Sequence, residues 1–262
     1  MTAAPLPEPL RQAVDRVART PRLLVVCDYD GTLAPIVEDP AHAVPRPESM
    51  AALRALADLP ETTAGVISGR ALRDLAALSG LPAEVHLIGS HGAELDAGFA
   101  QALDDAARSL RGRLQADLEA LIGQTPGVFL ELKPASIAVH VRRAEAAVGK
   151  SVLEAVRSGP ARWDGVHVTE GKEVIELAVV ETDKGAALEL LRRRVDATAA
   201  VFVGDDVTDE KAFARMAGPD VGVKVGSGTT LAEFSVPDTG DAAVMLADLL
   251  TERRNWLAGE LG

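Results

Sequence analysis

Asp28 and Asp30 stand two residues apart, directly after LLVVC, a short β-favouring apolar run at 23–27. Residues i and i+2 of an extended chain project to one side, so both carboxylates are expected to face one site. Cys27 points the other way and reads as a small buried hydrophobe. A second acidic cluster, GDDVTDE at 204–210, follows another apolar run, AAVFV. If both runs are buried strands, Asp28, Asp30, Asp205, Asp206 and Asp209 are aimed at one small volume. Carboxylates gathered in this way repel one another unless they are protonated or share a cation. Hard oxygen ligands with no His or Cys among them favour Mg2+, which keeps several waters and shares its other positions with substrate phosphate oxygens. Either cluster alone has a plainer explanation, because Asp before Gly-Thr is a common turn and acids at a helix start complement its dipole. Two clusters, each at the end of an apolar run, argue together for chemistry.

The elements that must hold these residues alternate. A short amphipathic helix at 8–19 precedes the first apolar run. Residues 47–58 read as a helix, TAGVI as a strand, SGRALRDLAAL as a helix with Ser68 at its N-cap, and VHLIG at 85–89 as another strand. From about 101 to 122 the pattern is helical. VFLELK at 128–133 and SIAVHVR at 136–142, separated by Pro134, read as an antiparallel hairpin with one wet face. A helix at 145–157 and two strand-like pieces, GVHVT and EVIELAVV, follow. The βα alternation then returns: DKGAALELLRRRV helical, AAVFVG a buried strand, TDEKAFARM helical, GVKVG, and a helix near 241–254. This predicts a doubly wound, Rossmann-like parallel sheet with an inserted α+β segment. Lys184, at the start of its helix, opposes the helix dipole, a local penalty expected where function demands the residue.

Composition narrows the chemistry. The 262 residues carry a formal net charge of −12, which argues against nucleic-acid and anionic-membrane partners. Only −1 of that charge falls in 99–178, a hint that this stretch is a separate module. Aromatic residues make up 3%, too few for base-stacking platforms. One cysteine and no leader or membrane-spanning run suit a cytoplasmic protein. His42, His86 and His167 lack metal-ligand spacing, and His91 is a candidate for the boundary of the inserted segment. GVKVGSG has glycines without the strand–GxGxxG–helix context of a dinucleotide site.

DYDGTLAP, ISGR, DKG and GDDVTDE, in that order, resemble the four motifs of haloacid dehalogenase-type phosphatases. With DYDGTLAPI, GSHGAE, ELKPASIAVHVR and EGKEVIEL added, residues 22–248 resemble the trehalose-6-phosphate phosphatases. One departure is that Ala178-Val179 stands where that family usually has Arg-Pro after its GKxxxE block. The resemblance implies a phosphatase core at 1–98 and 179–262 and a substrate-specificity cap at 99–178 that closes over it. It implies that Asp28 attacks phosphorus and that Asp30 protonates the leaving sugar oxygen and then activates water. Mg2+ is then held by Asp28, the Asp30 carbonyl and Asp205, with Asp206 and Asp209 in support. Lys184 is the catalytic cation, and Thr32, Ser68, Gly69 and Arg70 are substrate-binding positions. In the cap, Glu131, Lys133, His140, Arg142, Lys172 and Glu176 are implied sugar contacts; the plainer reading is a solvated outer sheet face. The expected partner is a small phosphorylated sugar and the expected state a monomer. The same chemistry on another sugar phosphate or a glycosyl-phosphoglycerate, and a catalytically silent sugar-phosphate-binding domain, are the alternatives.

Overall fold

The computed structural model describes residues 6–95, 105–133, 135–171, 173–180 and 183–260. The chain divides into two compact units, Met1–Asp96 with Asp183–Gly262, and Ala97–Thr182.

The first unit contains α1 (Glu8–Ala18), β1 (Leu23–Cys27), α2 (Pro47–Ala57), β2 (Thr62–Ile67), α3 (Leu72–Ser79), β3 (Val85–Gly89) and β4 (Glu94–Leu95). The second unit contains α4 (Asp105–Ile122), β5 (Phe129–Leu132), β6 (Ser136–His140), α5 (Ala146–Ser158), β7 (His167–Gly171) and β8 (Val174–Ala178). The chain then returns to the first unit with α6 (Lys184–Arg194), β9 (Ala199–Gly204), α7 (Glu210–Phe213), β10 (Val221–Val225), β11 (Phe234–Val236) and α8 (Thr239–Glu260).

Among the described residues the first unit's sheet has the order β11-β10-β9-β1-β2-β3-β4, parallel except for the antiparallel β3/β4 edge. β1, β9 and β10 are buried at every position, as expected when both faces of a parallel sheet are covered; β1 and β9 are unbroken apolar runs, and β10 is apolar but for Lys224. β1 lies between β9 and β2, with Cys27 paired to Val203 and to Val66, so the ends of β1 and β9 are level. That alignment brings residues 28 and 205 to the same edge. Ligands of open parallel sheets bind outside the carboxyl ends of the strands, at this edge.

The second unit's sheet is antiparallel, with order β5-β6-β8-β7. Leu130, Val139, Ile175 and their neighbours Ile137 and Leu177 turn to one face, where Leu114 and Leu118 of α4 and Val152 and Val156 of α5 complete a core. Val179 also belongs to this core and donates its N–H to the Ala135 carbonyl at 2.9 Å. Among the described residues no helix is long and apolar enough to cross a membrane.

Two elements differ from the expectation. The helix after β2 starts at Leu72, so Ser68 is not its N-cap; its Oγ instead accepts the Arg70 N–H at 3.1 Å, closing a tight turn across Ser68–Arg70. The helix expected over 208–216 is reduced to Glu210–Phe213: Asp209 is bound into the acidic turn before it, and after it Arg215 and Met216 bond to Ala212 and Phe213, three residues back, in a tighter turn.

Candidate active site

Asp28 continues the β1/β9 pairing one residue past the strand, its N–H donating to the Val203 carbonyl at 2.8 Å. Cys27, one step earlier, is buried on the other side, where burial raises its thiol above the ordinary range. Tyr29 is buried as well and donates its hydroxyl to the Ala43 carbonyl at 3.0 Å. Alternation thus sends Asp28 and Asp30 away from the residues that anchor this turn.

Lys184 Nζ donates to Asp28 Oδ1 at 2.6 Å and to Asp209 Oδ1 at 2.7 Å, and only 2% of the residue is exposed. Asp183 caps α6 by accepting the Ala186 N–H at 2.7 Å, which sets Lys184 in the first turn with its side chain turned to the strand ends. Burial works against the Lys184 charge, but Asp28 and Asp209 outweigh it, and the ammonium is held above its usual range. Burial pushes the Asp28 carboxyl well up; Lys184 opposes the shift and Asp209 adds to it. Asp205 is pushed up to about 6 by burial and then by the charge of Asp209. One ammonium does not neutralise this group.

Asp28, Asp205 and Asp209 each place a carboxylate oxygen within 4.8 Å of the others. Asp209, expected only in support, is fully engaged: Oδ1 takes Lys184, and Oδ2 accepts the N–H groups of Asp205 and Asp206, both at 2.9 Å. Thr32, fully buried, directs Oγ1 to Asp205 Oδ1 at 3.5 Å. Gly31 has φ +82°, and a Cβ there would stand 2.0 Å from Asp205 Oδ2, so glycine is required on both counts. Asp206 does not join the cluster; its exposed carboxylate accepts the Val207 N–H at 2.7 Å.

The Asp30 carboxylate is also directed elsewhere. Arg70 Nε donates to its Oδ2 and Nη2 to its Oδ1, both at 2.6 Å, while Nη2 also reaches the Pro40 carbonyl at 2.8 Å. The guanidinium lies 5.4 Å from the centre of the Tyr29 ring. The Ser68–Arg70 turn is stitched to the segment after β3, with His91 N–H donating to the Ser68 carbonyl at 2.9 Å and Ser90 N–H to the Arg70 carbonyl at 2.7 Å. At Gly69 a Cβ would stand 2.6 Å from His91 Cε1 and Nε2, so the imidazole packs directly on that glycine.

In the second unit, Ala138 pairs with Glu131 on one side and Glu176 on the other, which puts both acids on the face opposite the core. Glu131 Oε2 meets His140 Nε2 at 2.9 Å, and this hydrogen bond holds Glu131 below the usual carboxylate range. Lys133 Nζ donates to Glu176 Oε2 at 3.0 Å, and Ser136 Oγ to Glu176 Oε1 at 2.6 Å. The Lys133 side chain is only 6% exposed, so this part of the face is not simply solvated. Arg142 lies beyond β6, half exposed, 3.6 Å from Glu173. Lys172 lies outside the described residues.

Lys224 is the site residue that the sequence reading passed over. It is buried on β10 and donates to the Asp205 carbonyl at 2.8 Å. Its signal was available: it is the one charge in a buried strand otherwise made of Val and Gly.

The trehalose-phosphatase family matches residues 26–238. A trehalose-phosphate phosphatase of Mycobacterium avium is 40% identical over 241 residues, covering 84% of this chain and 60% of the relative. A bifunctional trehalose-6-phosphate synthase/phosphatase of Thermoproteus tenax is 36% identical over 227 residues, covering 84% of this chain and 31% of the relative. The chain therefore spans about a third to three-fifths of the length of these two relatives. Among solved structures, the C-terminal domain of a C. albicans trehalose-6-phosphate phosphatase superposes with a TM-score of 0.70 at 25% identity, covering 96% of this chain and 99% of that one.

Proposed function

The chain belongs to the trehalose-phosphatase family, and on that premise we propose that it hydrolyses trehalose 6-phosphate to trehalose and phosphate through an aspartyl-phosphate on Asp28. One observation carries the reading: Asp28 is buried at the carboxyl end of a parallel strand and gripped through one oxygen by Lys184. A carboxylate nucleophile must be aimed and relieved of charge repulsion as it meets a phosphate, and the ammonium does both.

In the first step an Asp28 oxygen bonds to phosphorus while the bond from phosphorus to the sugar oxygen breaks, and Asp30 gives that oxygen a proton. In the second step Asp30 takes a proton from water, the water oxygen bonds to phosphorus, and the bond to Asp28 breaks. Thr32, Ser68, Gly69 and Arg70 surround the transferred group. The donor set fits Mg2+: the oxygens are all hard, and three clustered carboxylates face one ammonium, with Gly31 leaving room for the Asp205 carboxylate. Asp28, the Asp30 carbonyl and Asp205 would hold the ion, with Asp209 behind them. When bound, the ion neutralises charge on the phosphoryl oxygens.

We assign Met1–Asp96 with Asp183–Gly262 to catalysis and Ala97–Thr182 to recognition of the sugar. The polar face of the second sheet supports this, since Glu131, Lys133, His140 and Glu176 offer fixed donors and acceptors to a polyhydroxylated ligand. Arg142 and Lys172 extend that assignment. A cytoplasmic setting is supported by the single, buried cysteine.

The test is phosphate release from trehalose 6-phosphate, sucrose 6-phosphate and glucosyl-3-phosphoglycerate, with Mg2+ and with EDTA, for wild type and Asp28→Asn. Release from trehalose 6-phosphate, lost in EDTA and in Asp28→Asn, is expected. No release from any substrate rejects the enzyme, equal release by Asp28→Asn rejects the nucleophile, and preference for another sugar rejects the substrate alone.

A further inference from the structure

Lys224 is 7% exposed, yet its one hydrogen bond among the described residues goes to a neutral group, the Asp205 carbonyl. A buried ammonium is normally matched to a carboxylate, as Lys184 is to Asp28 and Asp209, because desolvating an unmatched charge costs several kcal/mol or about that. An arrangement that breaks this rule inside a well-packed strand points to a task.

The task follows from the two peptide planes that flank the Asp205 Cα. The plane before it is held at its N–H, which donates to Asp209 Oδ2 at 2.9 Å. The plane after it is held at both ends: the Asp206 N–H donates to the same Asp209 oxygen at 2.9 Å, and the Asp205 carbonyl accepts from Lys224 at 2.8 Å. With both planes fixed, the direction of the Asp205 Cα–Cβ bond is fixed, and with it the point from which the carboxylate, met by Thr32 Oγ1 at 3.5 Å, comes within 4.8 Å of Asp28 and Asp209. The strand register makes this reach possible, since Lys224 pairs with Gly204, the residue before Asp205.

We propose that Lys224 is a positioning residue for the cation site, acting through the Asp205 backbone to hold its carboxylate in place. This rests on the reading of Asp205 as a metal ligand. A charged donor is chosen over a neutral one because charge-assisted hydrogen bonds are about twice as strong. Charge alone predicts the opposite outcome: an ammonium near the site repels a cation, so its removal would tighten binding.

The experiment titrates Mn2+ into wild type, Lys224→Met, Lys224→Gln and Asp205→Asn, reading free Mn2+ by electron paramagnetic resonance, with circular dichroism as the check on folding. Lys224→Met is expected to raise the Mn2+ Kd about ten-fold or more, the range seen when a partner behind a metal ligand is lost. Lys224→Gln, a milder truncation that keeps a polar end, is expected to weaken binding in the same direction and carries the test if the methionine variant does not fold. Unchanged or tighter Mn2+ binding in folded variants, with Asp205→Asn clearly impaired, overturns the role of Lys224 and leaves the cation site standing. A lowered melting temperature with wild-type Mn2+ affinity also overturns it, as that is the signature of a purely structural pin. Wild-type protein that binds no Mn2+, or Asp205→Asn that binds it normally, overturns the cation site and the proposal together.

Discussion

Arg70 was expected to bind substrate, and in the structure its Nε and Nη2 donate to Asp30, with Nη2 also reaching Pro40. The paired bonds to Asp30, from Nε and Nη2, match the fork of a guanidinium and cannot be reproduced by the point charge of a lysine. An acid whose two oxygens are both occupied cannot give a proton to a leaving group until one is released. An arriving phosphate, dianionic and equally suited to the fork, is the natural competitor for Arg70, so phosphate binding would free Asp30. Arg70→Lys is therefore expected to lower kcat/KM for trehalose 6-phosphate on the order of 10²-fold, the scale of a mispositioned general acid. Wild-type kinetics in that variant would reject the coupling. Gly31→Ala makes a second residue-scale prediction: its Cβ would enter the Asp205 carboxylate, so the folded variant should release no phosphate above the Asp28→Asn level. The motif ISGR was legible as a string, but the contact between Arg70 and Asp30, 40 residues apart, depends on a turn whose closing bond from Ser68 no local propensity shows.

At the level of elements, the antiparallel sheet of the second unit shows how far alternation can be read. Spacing of two put Glu131 with Lys133 on one face, and the strands formed as the apolar pattern required. What the pattern could not show was register, which lines Glu131, Ala138 and Glu176 up across three strands. Register turned a row of polar residues into specific pairs, Lys133 with Glu176 and His140 with Glu131. The Lys133 and Glu176 side chains are 6% and 17% exposed, so removing one leaves the other charged with little water. Lys133→Met or Glu176→Gln alone is expected to cost about 3 kcal/mol in urea unfolding, and the double variant less than the sum of the two. Strict additivity would show that the pair is not coupled. The late starts of α3 and α7 share one reason: a side chain read as part of the helix or its cap, Ser68 or Asp209, is engaged by a site turn instead.

Across the whole molecule, the first unit is assembled from two stretches of chain, and its site needs both, with Asp28 and Asp30 from one and Lys184, Asp205 and Lys224 from the other. The alternation of strands and helices was enough to predict the parallel sheet, but not that β1 would lie beside β9, since that pairing joins Leu23 to Ala199. Arg253 shows what binds the stretches together. It is fully buried on α8 and donates to Thr62 Oγ1 at 2.9 Å and to the carbonyls of Ala18 (2.9 Å), Thr20, Pro21 (3.2 Å) and Glu61 (2.6 Å), all in the first stretch. Trp256 covers the guanidinium from 4.6 Å, and burial lowers the Arg253 pKa from its ordinary value. Each carbonyl deprived of its donor in a buried setting costs about 1–3 kcal/mol, with partial relief from water at the less buried ones. Arg253→Met, which keeps the stem and removes the donors, is therefore expected to destabilise the protein by about 3 kcal/mol or more, placing it in the severe tail of single substitutions. The measurement is the urea midpoint at unchanged m-value, with Mn2+ affinity read below the transition. Because Arg253 acts on the joining of the stretches and not on the carboxylates, the affinity should stay at the wild-type value while the midpoint falls, the reverse of the pattern expected for Lys224→Met. A midpoint unchanged within error would mean that the five hydrogen bonds hold nothing that the core does not already hold.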